Sequence, residues 1–212
     1  MRISRAMVFV MALTAGLPAQ AQNRATFVVN AKQSKLDIRV YREGFLKAFG
    51  HDHQISATEF SGKIQLAQPD LSESHVKFAV ETKSLVVLDP GESEKDRQEV
   101  QETMLSDKLL DAARFPQIQF VSSKVRSITQ KGDATELQVE GTLSLHGVEK
   151  PVTLPIRLRV SGGQLTGDGE VTLLQTNYGM TPIKVGGGAV RVKDKLKISF
   201  HIVAKEGNGS DR

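Results

Sequence analysis

The chain has 212 residues, with 28 Lys and Arg against 24 Asp and Glu, and it contains no cysteine. This length suits one domain with a sizeable hydrophobic core. The near-even charge balance argues against a nucleic-acid partner. The absence of cysteine excludes disulfide bonds, thiolate metal sites and a cysteine nucleophile.

The first 21 residues have the order of a secretory signal peptide. Arg2 and Arg5 precede an apolar run, Ala6–Leu17, and Pro18–Ala21 supplies an Ala-x-Ala cleavage site. Cleavage after Ala21 would leave 26 basic and 24 acidic residues, a net charge of +2. We therefore expect a periplasmic protein with one domain over residues 22–205 and a flexible tail over residues 206–212.

Most of the remaining chain alternates apolar and polar residues with a period of two, which predicts half-buried β-strands. The clearest alternation is a pair of runs within Leu137–Val160, joined by turn residues His146–Pro151. Two such runs predict a long antiparallel hairpin. Further strands are predicted, in chain order, around Thr26–Val29, Leu36–Tyr41, Phe60–Leu66, Val76–Val80, Ile118–Phe120, Leu165–Leu173, Val190–Val192 and Leu196–Ile202.

One stretch departs from this period. Between Glu92 and Ala113, apolar residues such as Val100, Met104 and Leu105 follow the spacing of a single helical face. The sequence therefore predicts a helical insertion near residues 92–113, which Ser106-Asp107 could divide, in a chain of about eight to ten strands.

Strands with short connections favour antiparallel pairing, and closing such a sheet removes its exposed edges. An all-β antiparallel barrel of about eight strands is therefore predicted, and it would be wide enough for one small ligand. A two-sheet sandwich explains the same alternation and is the alternative. The length of the predicted strands favours the barrel.

Three segments resemble the YceI-like family of periplasmic, lipocalin-like proteins. Leu105–Phe120 resembles the family's helix-to-strand segment, and Gly141–Leu154 resembles its hairpin. Asn177–Met180 resembles its Phe-Gly loop, with tyrosine in place of phenylalanine. Together the segments place nearly all of the chain after the signal peptide.

This resemblance implies a lipocalin-like antiparallel barrel with an apolar tunnel. It also implies non-catalytic binding of a polyisoprenoid lipid, such as a quinone or a prenyl pyrophosphate. The expected partner is thus an amphiphilic lipid. A transient membrane contact and a homodimer are both left open.

Large aromatic residues are the candidates for lining such a tunnel, although the same side chains could equally fill a closed core. They are Phe45, Phe49, Phe60, Phe78, Phe120, Tyr178 and Phe200. Lys47 and Lys184 stand beside glycine-containing bends and are candidate headgroup contacts, although surface lysines are common.

His51 and His53 are two residues apart, so in an extended segment both imidazoles would face the same side. They are candidate metal ligands, but two ligands are not a complete site. The alternatives are a hydrogen-bonded loop pair at the barrel mouth or a contact with a polar headgroup. His75, His146 and His201 are further ligand candidates that nothing in the sequence brings close.

Catalytic patterns are weak throughout. Asp168 and Glu170 share a strand face, and Ser144 precedes His146 without a nucleophile elbow. Three functions therefore remain: carriage of an isoprenoid lipid, a periplasmic metal-binding or metal-dependent protein centred on His51 and His53, or an envelope or stress-associated interaction protein with a filled barrel.

Overall fold

The computed structural model describes residues 23–43, 52–185 and 190–207. In these ranges the chain forms twelve β-strands and one α-helix, α1 (Glu94–Leu105). The strands are β1 (Asn23–Val29), β2 (Lys35–Glu43), β3 (His53–Ala57), β4 (Phe60–Gln68), β5 (His75–Glu81), β6 (Leu85–Val87), β7 (Gln117–Lys131), β8 (Ala134–Leu145), β9 (Val148–Ser161), β10 (Gln164–Leu174), β11 (Lys184–Val185) and β12 (Val190–Glu206).

Eight of the strands close into an antiparallel barrel. Pairing runs in the order β1-β4-β5-β7-β8-β9-β10-β12, and β12 returns to β1 through pairs such as Phe27 with Glu206. This closure confirms the predicted all-β barrel and excludes the sandwich alternative. The described strands run from Asn23 to Glu206.

The remaining strands extend the wall at one end of the barrel. β12 has 17 residues, and beyond its contact with β1 it pairs with β2, for example through Phe200 and Leu36. β3 then pairs with β2, and β6 pairs with β3. We call the barrel end that carries β2, β3, β6 and α1 the helix end. The opposite end carries the hairpin turns at residues 131–134 and 161–164.

Helix α1 confirms the predicted helical insertion, although its regular part is shorter than residues 92–113. Ser93 caps its N-terminus, where the Ser93 hydroxyl accepts a hydrogen bond from the Asp96 N–H at 3.1 Å. Ser106 ends it in an extended conformation. The chain then continues in turns, one of which places Asp111 at a positive φ of 44°.

A side chain of the helix satisfies the outer edge of the sheet. The Gln101 side-chain oxygen accepts from the Val87 N–H at 2.8 Å, and its Nε2 donates to the Leu85 carbonyl at 2.7 Å. Both partners belong to β6, the last strand of the extension. The amide therefore supplies the hydrogen bonds that another strand would otherwise make.

The long predicted hairpin is present, but its turn is tighter than the sequence indicated. β8 ends at Leu145 and β9 begins at Val148, so the turn consists only of His146 and Gly147. Both residues have positive φ, 52° and 72°, as a two-residue type I′ turn requires. The expectation of a turn over residues 146–151 was therefore wrong, because Pro151 pairs with Thr142 inside the sheet.

Candidate functional site

A cavity of about 750 Å³ lies inside the barrel. Natural interiors rarely hold voids larger than a water molecule, which occupies about 30 Å³ in the liquid. The cavity is therefore a built feature of the fold and not a packing defect. It is inconsistent with the alternative of a filled barrel.

The wall of the cavity is aliphatic. Many of its side chains point inward yet remain only partly buried, because they face open space in place of neighbouring atoms. These partly buried wall residues include Leu36, Ile38, Ile64, Val76, Leu143, Val152, Leu154, Ile156, Val171, Leu196, Ile198 and Ile202. Such a surface favours an apolar occupant over water.

The cavity is also long. On β10 both Leu165 and Leu173 line it, and these residues stand near opposite ends of the strand. Eight residues of strand span about 27 Å, or about 20 Å along the axis of a barrel whose strands tilt by about 40°. The cavity therefore has the shape of a tunnel that suits an extended chain.

Three inward-facing phenylalanines lie flat against glycines of the wall. A Cβ atom at Gly62 would come within 2.8 Å of the Phe78 ring, and one at Gly169 within 2.4 Å of the Phe200 ring. Each of these glycines is the direct cross-strand partner of its phenylalanine. A Cβ at Gly141 would likewise lie 2.6 Å from the Phe120 ring.

The consequence of these glycine contacts is an open lumen. Because each ring occupies the space of an absent side chain, the rings lie along the wall and do not fill the centre of the barrel. Phe78, Phe120 and Phe200, three of the predicted lining residues, are on the wall of the cavity. Whether they contact a ligand stays a prediction.

Phe60 and Tyr178 occupy the packed core near the helix end and are not part of the cavity wall. The Phe60 ring packs against the Phe78 ring, with their centroids 5.5 Å apart. Tyr178 is 2% exposed, and this burial raises the pKa of its hydroxyl group. Both rings therefore support the residues that form the wall.

Of the other residues predicted to contact a ligand, four lie outside the described residues and one lies within them. Phe45, Lys47, Phe49 and His51 lie outside the described residues. Lys184 lies in β11, where it pairs with Arg191 of β12. Arg191, which the sequence analysis did not single out, lines the cavity.

The two ends of the cavity differ in polarity. Within the described ranges, every ionisable side chain on its wall is found at the helix end, where β2 finishes and β3, β12 and α1 begin: Arg42, His53, Asp96, Glu99 and Arg191. At the opposite end the wall is formed by residues such as Leu71, Val125 and Leu165. The site is therefore amphiphilic, with its ionisable groups at one end.

His53 is held by a buried carboxylate. Its Nδ1 lies 2.6 Å from Asp89 Oδ2, and the Asp89 side chain is 1% exposed. Asp89 Oδ1 also accepts from the Gln54 N–H at 2.7 Å. The hydrogen bond to this buried side chain fixes the orientation of the His53 ring at the cavity wall.

The metal hypothesis is not tested by this geometry. No group of three or more His, Asp or Glu side chains suited to a metal ion occurs among residues 23–43, 52–185 and 190–207. His51, the proposed second ligand, lies outside these ranges. The His51 and His53 metal site therefore stays a prediction.

Two residues of the cavity wall that were not predicted, Arg42 and Gln175, could have been recognised from the sequence pattern. Arg42 continues the inward face of Leu36, Ile38 and Val40, so it is a charged residue at an apolar position. Gln175 continues the inward face of β10 in the same way. Asp89 carried none, because it meets His53 only through the pairing of β3 with β6.

The helices described by the structure include none that is both long and apolar enough to cross a membrane.

Comparison with known sequences identifies related proteins. The UPF0312 protein of Shewanella denitrificans is 32% identical over 136 residues, which make up 63% of this chain and 62% of that protein. The UPF0312 protein of Vibrio vulnificus is 32% identical over 146 residues, or 68% of each chain. Protein YceI of Salmonella arizonae is 33% identical over 104 residues, 49% of this chain and 48% of that protein.

Solved structures share the fold. Burkholderia cenocepacia BcnA superposes with a TM-score of 0.66 at 21% identity, covering 84% of this chain and 99% of BcnA. A polyisoprenoid binding domain from Saccharophagus degradans, implicated in plant cell wall breakdown, gives a TM-score of 0.57 at 12% identity and covers 87% and 100% of the two chains. The model of the YceI-like domain matches residues 26–204, which is nearly the whole barrel, and the chain therefore belongs to the YceI-like domain family.

Proposed function

We propose that this protein binds an isoprenoid lipid, of the quinone or prenyl pyrophosphate type, in the barrel and does not transform it. The observation that carries this proposal is the long aliphatic cavity with its ionisable groups at one end. The tail would occupy the aliphatic part and the headgroup the helix end. The polyisoprenoid binding domain from Saccharophagus degradans has the same fold, which supports the proposal.

The energetics favour a lipid tail. Burial of apolar surface contributes about 25 cal/mol for each Å², so a tail that buries about 300 Å² gains about 7 kcal/mol. Association costs at least about 4 kcal/mol in lost translational and rotational freedom. A longer tail therefore binds more tightly, up to the length of the cavity.

The polar groups considered for catalysis have other roles, which supports a non-catalytic function. Ser144 donates its hydroxyl to Glu149 at 3.0 Å, and His146 Nδ1 lies 3.1 Å from the Tyr178 carbonyl. Asp168 is paired with His201 at 2.6 Å, and both side chains are exposed. None of these three contacts places a nucleophile and a base together in the cavity.

We also propose that binding takes place in the periplasm. Arg2, Arg5 and the apolar run Ala6–Leu17 support this, since they have the composition of a cleaved secretory signal. Carriage across that compartment would be useful because an isoprenoid tail is poorly soluble in water. A transient membrane contact and a homodimer stay predictions.

A matched pair of tryptophan variants tests the proposal. Val152 points into the cavity and its neighbour Thr153 points to solvent. Since the natural chain has no tryptophan, each variant also carries a single tryptophan whose fluorescence reports its surroundings. We expect Val152→Trp to lower the affinity for geranylgeraniol at least tenfold, with Thr153→Trp binding like the natural protein.

Stability distinguishes a hollow barrel from a filled one in the same pair of variants. A filled core would lose about 1–3 kcal/mol on receiving the larger ring, whereas an open cavity accommodates it at a cost below about 1 kcal/mol. Failure of the natural protein to bind geranylgeraniol, or equal binding by all three proteins, would contradict the proposal.

A further inference from the structure

The side chain of Gln175 is a buried polar group on the cavity wall. It is 2% exposed and lies in a short 3-10 turn that follows β10. Its Nε2 donates a hydrogen bond to the Lys193 carbonyl at 2.8 Å. Since a carbonyl only accepts, this bond fixes which end of the amide is nitrogen and which is oxygen.

The other end of the amide is the acceptor Oε1. None of the residues in 23–43, 52–185 and 190–207 donates a hydrogen bond to it. A buried acceptor left unsatisfied is costly and rare in native proteins. Because Gln175 is part of the cavity wall, a donor on a bound molecule can supply the missing hydrogen bond.

Gln175 belongs to the polar end of the cavity. Its partner Lys193 follows Val192, and Val192 is paired with Arg42 across β12 and β2. Arg191 also lines the cavity there. The acceptor therefore lies at the end where the proposed function places the headgroup, and not along the path of the tail.

Among the described residues that line the cavity, the charges at this end do not favour a strongly anionic headgroup. Arg42 and Arg191 are matched by Asp96 and Glu99 of α1, so the four side chains together carry no formal net charge. Arg42 is in addition 3.9 Å from Asp52. A pyrophosphate, which carries several negative charges, would meet two carboxylates here as well as two guanidinium groups.

We propose that this end of the cavity selects an uncharged isoprenoid headgroup that carries a hydroxyl group, and that the hydroxyl donates a hydrogen bond to Gln175 Oε1. The inference rests on the proposed binding of an isoprenoid lipid and changes the expected headgroup. An oxidised quinone, like a pyrophosphate, has no hydroxyl donor, whereas its reduced quinol form has two. A prenol or a hydroxyl-bearing ring fits this chemistry. An ionised pyrophosphate does not, because it can only accept hydrogen bonds.

The test compares three ligands with one tail: farnesol, farnesyl methyl ether and farnesyl pyrophosphate. We expect the natural protein to bind farnesol about tenfold more tightly than the ether, which has no donor, and more tightly than the pyrophosphate. In Gln175→Met, which keeps the length of the side chain but removes the acceptor, the preference for farnesol over the ether should fall to within about twofold.

The outcomes separate this inference from the proposed function. Equal binding of farnesol and its ether to the natural protein would overturn the Gln175 subsite while isoprenoid binding stands. Tighter binding of the pyrophosphate would overturn the assignment of an uncharged headgroup. Binding of none of the three would defeat the proposed function itself. The natural protein alone decides these outcomes, so they do not depend on whether Gln175→Met folds.

Discussion

The ring of Phe200 occupies the space that a side chain at Gly169 would need. A Cβ atom at residue 169 would lie 2.4 Å from Phe200 Cζ, far inside the distance that two carbon atoms tolerate. The two residues face each other across β12 and β10, and Phe78 and Gly62 are related in the same way across β5 and β4. These pairs keep large rings against the wall, so the cavity depends on glycines as much as on its apolar side chains.

Substitution of Gly169 is therefore expected to damage both stability and binding. In Gly169→Ala the new methyl group would displace the Phe200 ring and press on the Pro155 carbonyl, which is 2.5 Å from the Cβ position. Such overpacking costs about 1–3 kcal/mol. Urea unfolding measures that loss, and a titration with geranylgeraniol measures the loss of affinity.

The matched control for this substitution is Gly167→Ala. Gly167 lies on the same strand and the same inward face, but its Cβ would have an ordinary contact of 3.6 Å with Ile156. We expect a change in stability below about 1 kcal/mol. If both variants unfold at the same urea concentration, the close approach of Gly169 to Phe200 does not affect the free energy of unfolding, and this prediction is wrong.

Loss of the Gln101 side chain should loosen the outer strand of the extension. Gln101→Leu leaves the Val87 N–H and the Leu85 carbonyl without their partners, and we expect a cost of about 1–3 kcal/mol. Hydrogen exchange at the Val87 amide should become faster. Gln98→Leu is the control, because Gln98 is exposed and its side chain donates a hydrogen bond to Glu102 of the same helix. Unchanged exchange at Val87 in Gln101→Leu would be inconsistent with this role.

Tyr178→Phe is expected to leave the protein at least as stable as the natural chain. The Tyr178 hydroxyl is buried, and no side chain or carbonyl within the described ranges hydrogen-bonds to it. Removing an unsatisfied buried polar group is neutral or stabilising, by up to about 1 kcal/mol. Tyr178→Ala, which leaves a cavity, should instead cost about 3–5 kcal/mol. A large loss in Tyr178→Phe would show that the hydroxyl has a structural partner.

Stability should fall in alkaline solution. Burial raises the pKa of Tyr178 above its ordinary value of 10.0, so the unfolded chain releases this proton first as the pH rises. A hydrogen bond with Glu170 also raises the pKa of Lys197, whose ordinary value is 10.5. Both stabilising contributions are complete below these ordinary values and are lost as the pH rises through the raised ones.

Urea unfolding at about pH 9 and about pH 11 measures this effect, since the window contains both ordinary values. Tyr178→Phe should lose less stability between the two pH values than the natural protein does. An identical loss in both proteins would rule out a contribution from Tyr178.

Local alternation was sufficient to predict much of the fold. The period-two runs correctly predicted that Phe78, Phe120 and Phe200 face inward. The two strands of the predicted long hairpin, β8 and β9, pair with each other along their length. β3 and β6 were missed because five and three residues are too short for a periodic pattern. The turn at His146 and Gly147 was misplaced because Pro151 has the composition of a turn but lies in a strand.

The openness of the barrel could not be read from the same pattern. An inward Ile156 or Val171 has the same spacing whether it fills a core or lines a cavity, because the outcome depends on the radius of the closed sheet. The glycines opposite the phenylalanines contribute as well, and their pairing follows only from the register. Asp89 and His53 are 36 residues apart along the chain, so no local sequence motif predicts their contact.

Native mass spectrometry of the full-length chain, purified without detergent and incubated with geranylgeraniol, tests the central claim most directly. We expect a species heavier than the bare chain by the mass of one isoprenoid molecule, and its loss in Val152→Trp. Detection of the bare chain alone, before and after incubation, would contradict the proposed lipid-binding function.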